Sequence, residues 1–101
     1  VTEISNAQAM GCDVTKVFPA GNVAGPSFVK NVLGPLRWSN IMVTGAVSPD
    51  KENLTEWIKS GVFCVGMGSK LFPKDVIASE NWQAITDKCV EALGYIREAR
   101  A

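Results

Sequence analysis

Asp13-Val14-Thr15-Lys16-Val17-Phe18-Pro19-Ala20-Gly21 decides how the rest of the chain is read. Its β-branched and aromatic residues favour an extended, half-buried backbone. Pro19 ends the run because its ring removes a backbone donor, and a glycine-containing loop follows. Side chains alternate along a strand, which puts Val14, Lys16 and Phe18 on one face and Thr15 and Val17 on the other. Lys16 therefore stands between two apolar neighbours near the C-terminal end of the strand. Burial disfavours the charged form of an amine, and a neutral amine attacks a carbonyl to form a Schiff base. The competing reading is a lysine whose ammonium snorkels to water.

Upstream, Val1-Thr2-Glu3-Ile4 opens a helix in which Thr2 can cap and Glu3 favours the first turn. This helix is expected to reach about Met10 and to stop at Gly11. The chain starts without methionine, which reads as a piece of something longer. Downstream, a loop through Ala24-Gly25 leads to Pro26 at a first helical position. Phe28, Val29, Val32 and Leu33 then recur at helical spacing until Gly34-Pro35.

The pattern repeats. A strand at Ile41-Met42-Val43-Thr44 ends in Gly45-Ala46, and Ser48-Pro49 starts a helix with Leu54, Trp57 and Ile58 as its apolar stripe up to Gly61. Val62 to Met67 is a third apolar strand. Gly66-Met67-Gly68-Ser69 is its loop, and Lys70-Leu71-Phe72 opens a short helical turn. From Asn81 to about Ala99, Trp82, Ile85, Cys89, Ala92 and Ile96 mark a closing helix, with Gly94 its weak point and Trp82 available to pack against a neighbouring unit.

Apolar strands alternating with amphipathic helices predict an α/β fold, a parallel sheet covered by helices. Chemistry-bearing residues at the C-terminal end of each strand fit a (β/α)8 TIM barrel better than a Rossmann sheet. Such barrels take roughly 250 residues, about 200 at the least, so 101 residues supply about half of one. The reading is a single partial domain over residues 1–101, the C-terminal half of a barrel whose N-terminal half is absent from this chain.

Composition narrows the function classes. A 47% hydrophobic, 20% charged chain is globular. Ten basic and ten acidic residues leave no net charge, which gives no electrostatic case for nucleic acid or an anionic membrane surface. Apolar stretches are too short for a membrane span and no signal peptide is visible, so a cytoplasmic protein is expected. Cys12, Cys64 and Cys89 have no CxxC spacing and the chain lacks histidine, which argues against a metal site, a disulfide scaffold and any histidine-based nucleophile system. If the chain does covalent chemistry, Lys16 is the candidate.

Thr44-Gly45-Ala46 and Gly66-Met67-Gly68-Ser69 each follow a strand and precede a helix. As neighbouring loops at the end of a barrel, their backbone N–H groups suit a phosphate, and Ser69 adds a hydroxyl. Glycine after a strand is also ordinary turn chemistry, so either motif alone is weak. Neither is a GxGxxG fingerprint or a P-loop, which disfavours a nucleotide.

Lys16-Val17-Phe18-Pro19-Ala20, Gly34-Pro35-Leu36, Val43-Thr44-Gly45-Ala46-Val47-Ser48 and Val65-Gly66-Met67-Gly68-Ser69-Lys70-Leu71, in this order and spacing, closely resemble the C-terminal half of the 2-keto-3-deoxy-6-phosphogluconate aldolase (KDPG/KHG aldolase) family. The resemblance covers essentially the whole chain. It implies a class I aldolase on a (β/α)8 barrel, usually a homotrimer and without a cofactor. Such an enzyme cleaves the phosphorylated keto acid to pyruvate and glyceraldehyde 3-phosphate, and some relatives cleave 4-hydroxy-2-oxoglutarate. By the resemblance, Lys16 is the Schiff-base lysine, Phe18 and Pro19 line the pocket beside it, and Thr44 lies near the substrate. Gly45 and Ala46 match phosphate-holding glycines, and Gly68 and Ser69 belong to the second phosphate segment. Ala46 departs from the family's second glycine, and its methyl group limits close approach. A glutamate for proton transfer and an arginine for the carboxylate would come from the absent half.

Two other readings stay open on the sequence. One is a different phosphate-binding (β/α) barrel enzyme in which Lys16 only steadies a carboxylate. The other is a non-catalytic half-barrel fragment, whose open sheet edges would make it associate with another half.

Overall fold

Helices and strands alternate along the described residues up to two consecutive helices at the end, the last of them 19 residues long. In the computed structural model, which describes residues 1–21 and 24–101, they are α1 (Thr2–Ala9), β1 (Thr15–Val17), α2 (Pro26–Leu33), β2 (Ile41–Val43), α3 (Lys51–Lys59), β3 (Cys64–Val65), α4 (Lys74–Ala78) and α5 (Trp82–Arg100). The expected loop into Ala24-Gly25 includes Asn22 and Val23, which lie outside the described residues. Among those described, β1, β2 and β3 form one parallel sheet in that order. The α/β class and the parallel pairing are as the alternation of strands and helices predicts; the described residues form an open sheet of three strands, not a closed barrel.

Register explains the two faces of the sheet. Thr15 pairs with Ile41, and Val17, Val43 and Val65 lie side by side, while Lys16, Met42 and Cys64 form the intervening row. Ile41 and Val43 are fully buried against Val29 and Val32 of α2 and Leu54, Trp57 and Ile58 of α3. The stripe Leu54, Trp57 and Ile58 thus faces the core as its spacing requires. The Lys16-Met42-Cys64 row lies outside this core, so the strands are not covered equally on both faces.

Several boundaries differ from expectation for local reasons. Thr2 is the first helical residue of α1, not its cap; Val1 occupies the cap position without a side-chain bond. The C-terminus is as expected: Gly11, at φ +97°, turns the chain while the N–H groups of Gly11 and Cys12 donate to Gln8 and Ala7. Ser48-Pro49 lies just ahead of α3, because Asp50 is the cap and Lys51 the first helical residue. The third strand shrinks from Val62–Met67 to Cys64–Val65, since it pairs on one side only among the described residues. Lys70-Leu71-Phe72 form a single turn in which Leu71 and Phe72 donate to the Gly68 carbonyl, at 2.9 and 3.1 Å. The helix α4 was not anticipated; it is five residues long and has no apolar period to betray it. On α5 the Asn81 side chain caps by accepting from the Ala84 N–H, and Ala92 is buried while Trp82 stays exposed. The three cysteines are free thiols. Among the described residues, no helix is long and apolar enough to cross a membrane.

Candidate active site

The carboxyl ends of the three strands are tied together by backbone bonds. The Thr44 N–H donates to the Val17 carbonyl at 3.2 Å, the Thr44 carbonyl accepts from Ala20 at 2.8 Å, and the Gly66 N–H donates to Val43 at 2.9 Å. The loops after β1, β2 and β3 are therefore fixed next to one another. Side chains two apart share a face, so Phe18, Thr44 and Gly66 extend the open row of Lys16, Met42 and Cys64.

Of these, Lys16, Phe18, Thr44 and Gly66 line an open pocket of about 450 Å³. Lys16 and Phe18 come from β1 and its end, Thr44, Gly45 and Val47 from the second loop, and Gly66 to Lys70 from the third. Lys16 is exposed, and its Nζ lies 5.6 Å from the centroid of the Phe18 ring. The desolvation expected from its apolar neighbours is not seen in this chain, because Lys16 projects from the face of the sheet opposite the core. Of the residues named from the sequence, Lys16, Phe18, Thr44, Gly45, Gly68 and Ser69 are brought together in this pocket. Pro19 and Ala46 do not line it. Pro19 packs behind Gly45, and the Ala46 methyl is 3.0 Å from where a Cβ on Gly21 would stand, so it is directed at the preceding loop. Val47, Met67 and Lys70 line the pocket without having been singled out; Lys70 could have been noticed as the cation next to Ser69.

The Thr44 Oγ1 is buried without a hydrogen-bond partner, as are Thr15 Oγ1 and Ser39 Oγ away from this pocket, so it does not by itself mark a site. The backbone donors of the pocket are what suit a polar ligand. The N–H groups of Gly45, Gly68 and Ser69 donate to no acceptor among the described residues. Three lining residues contribute backbone donors, two contribute ammonium groups, and none contributes a carboxylate. This is an anion-binding arrangement.

Gly45 holds φ at +114°, and a Cβ there would meet the Ala20 nitrogen at 3.0 Å. Gly66 is constrained by proximity: an added Cβ would lie 2.6 Å from the Thr44 Cγ2. Gly66→Ala is expected to push Thr44 out of place and to destabilise the fold by about 1–3 kcal/mol. Gly68→Ala, whose Cβ would meet nothing within 4 Å, is the control in the same urea titration.

The second loop is clamped from α3. Asn53 accepts from the Ser48 N–H at 2.9 Å and donates from Nδ2 to the Ala46 carbonyl at 3.1 Å, and Trp57 Nε1 reaches the same carbonyl at 3.4 Å. Ser48 Oγ also donates to Asp50 at 2.8 Å. Asn53→Ala removes two bonds of this clamp and is expected to cost about 1–2 kcal/mol. Faster hydrogen exchange at the Ser48 amide would locate the loss.

A wider groove of about 800 Å³ lies at the opposite end of the strands, between Arg37, Asn40, Phe63 and Arg100. The C-terminal ends of α2, α3 and α5 converge there, and the Arg100 guanidinium already donates to the Phe63 carbonyl at 2.6 Å. Helix C-termini repel anions, and ligands of parallel α/β sheets sit at the carboxyl ends of strands, so size does not make this groove the site.

A parallel sheet backed by helices, with a lysine and two glycine loops gathered at the strand carboxyl ends, defines an α/β protein with an enzyme-type pocket. The family model for KDPG and KHG aldolase matches residues 1–88, and the chain belongs to that family. It is 30% identical over 94 residues to the 2-dehydro-3-deoxy-phosphogluconate aldolase of Haemophilus influenzae, covering 93% of this chain and 43% of the relative. The structure described as native KDPGal superposes with a TM-score of 0.80 at 27% identity, over 97% of this chain and 45% of that one. A designed cube-shaped, highly porous protein cage, made by fusing symmetric oligomeric domains, matches with a TM-score of 0.77 at 27% identity, over 98% of this chain and 34% of its own. The chain thus spans less than half the length of these relatives.

Proposed function

We propose that this chain supplies the Schiff-base lysine and the phosphate-binding loops of a class I aldolase, a lyase cleaving 2-dehydro-3-deoxy-6-phosphogluconate to pyruvate and glyceraldehyde 3-phosphate. The observation that carries this reading is the placement of Lys16 in one pocket with Thr44, Gly45, Gly68 and Ser69. The same lysine and loops, acting on 4-hydroxy-2-oxoglutarate, would give pyruvate and glyoxylate.

The chemistry follows from an amine facing a keto acid. Lys16 Nζ, once neutral, attacks the keto carbon to give a carbinolamine, and protonation of its hydroxyl followed by loss of water gives a protonated imine. A base takes the proton of the hydroxyl on the carbon at the far end of the bond to be broken, the carbon that becomes the aldehyde. That bond's electron pair moves into the iminium to form an enamine, and the aldehyde departs. The enamine carbon takes up a proton, and water then hydrolyses the imine to release pyruvate and the free amine. The electron sink is the iminium itself, so residues of this chain are needed only to form it, to bind the anionic ends and to orient the keto acid.

The pocket contributes no carboxylate, so in this reading the base and the cation for the keto-acid carboxylate lie outside residues 1–101. The open Lys16-Met42-Cys64 face would be the inner wall of a (β/α)8 barrel completed by further strands, and those strands would also desolvate Lys16. Assembly as a homotrimer belongs to the same reading, and the exposed Trp82, Val90 and Leu93 on one side of α5 offer apolar surface for it.

Borohydride reduction in the presence of pyruvate tests the reading. A pyruvyl adduct on the peptide carrying Lys16 is the expected result, read by intact and peptide mass analysis. Absence of the adduct in a chain that includes the completing strands would leave a phosphate-binding barrel of another activity.

A further inference from the structure

We infer that Lys70 is the cation that holds the phosphate end of the substrate, and so a residue that sets preference for phosphorylated over unphosphorylated keto acids; this rests on the reading of the pocket given above.

Lys70 lines the same pocket as Lys16, Thr44 and Ser69. It also lines a small apolar recess of about 100 Å³ with Leu71, Val76 and Ile85, so the residue forms the ridge between the two. A lysine on such a ridge rests its methylene stem on apolar surface and keeps its ammonium in the polar space. Its backbone is held by the turn in which Leu71 and Phe72 donate to the Gly68 carbonyl. The ion pairs among the described residues are Lys51–Glu98 and Lys88–Glu91, and neither uses Lys70.

The charge belongs to the phosphate and not to the carboxylate because of where it stands. The carboxylate of a 2-keto acid is bonded to the carbon that Lys16 attacks, whereas the phosphate is at the other end of the substrate. Lys16 is on β1, and Lys70 follows β3, with β2 between them. Adjacent strands are about 4.8 Å apart, so the substrate would extend across the sheet from one lysine towards the other. At that far end the N–H groups of Gly68 and Ser69 are without acceptors among the described residues. An ammonium is a compact point charge well suited to phosphate, and in an open pocket its effect is screened by salt.

The test titrates inorganic phosphate into the protein and into Lys70→Met, following the amides of Gly45, Gly68 and Ser69. The dissociation constant is expected to rise roughly tenfold in Lys70→Met and to stay within about threefold in Lys70→Arg. An unchanged constant in Lys70→Met overturns the inference. In the full-length enzyme, KM for the 6-phosphorylated substrate is expected to rise by a similar factor while 4-hydroxy-2-oxoglutarate changes less than about twofold. Equal losses on both substrates would also overturn it, since the carboxylate is what they share. Pyruvate trapping at Lys16 fails or succeeds independently of both results. A failed trap removes the aldolase reading and leaves the phosphate titration to decide the part played by Lys70.

Discussion

Lys16→Arg is expected to keep the fold and the positive charge and to lose both pyruvate trapping and aldol cleavage, by a factor on the order of 10⁴ or more. Arginine stays protonated at any working pH and cannot form the imine, so the variant separates covalent from electrostatic roles. A lysine that merely steadies a carboxylate would tolerate arginine with a modest loss. Lys16 is exposed and lies outside the apolar core, so the thermal midpoint should move little. Steady-state kinetics, mass analysis after borohydride and a melting curve on the same preparation suffice. Substantial residual turnover in Lys16→Arg would refute the Schiff-base assignment.

Trp57→Ala is expected to have the largest effect on stability, about 3–5 kcal/mol. The indole is 2% exposed in the core between α3 and the sheet, and its removal leaves a cavity there. It also takes away the Nε1 contact to the Ala46 carbonyl, one of the bonds that set the second loop. Domains of this size are stable by about 5–15 kcal/mol, so the variant should be partly unfolded under mild conditions. Trp57→Phe fills most of the space and loses the bond to Ala46, and is expected to cost about 1–2 kcal/mol by urea denaturation. A Trp57→Phe variant as stable as the parent would mean that the Nε1 contact to Ala46 adds nothing to the hold of Asn53 on the loop.

Much of the helical structure was legible because an apolar stripe has a period. Leu54, Trp57 and Ile58 could only face a core together, and Pro26 opens α2 as its fixed φ favours, with Gly34 at its C-terminal end. What failed was local and short. Thr2 lost the cap position to Val1, Pro49 fell outside α3, and α4 had too few residues to show a pattern. Strand ends were equally unreadable, because the length of β3 depends on its neighbours and not on its own residues.

The site divides along the same line. The sequence singled out Lys16 and the two glycine loops, because an amine between apolar strand neighbours is unusual and the two loops, each weak alone, recur in an order and spacing that resemble the aldolase family. It also determined the parallel α/β plan, through strands and helices that alternate. Only the tertiary structure decided which of these residues meet. Parallel register placed Lys16 and Met42 in the same row, the backbone bonds of Thr44 aligned the loops, and the Ala46 methyl came to lie against Gly21, away from the pocket. It likewise left Lys16 exposed and brought Lys70 to the opposite side of the pocket. The reason is physical: periodicity and backbone preference act within a few residues, whereas a pocket is made by side chains far apart in the chain whose meeting depends on register and on which face the helices cover.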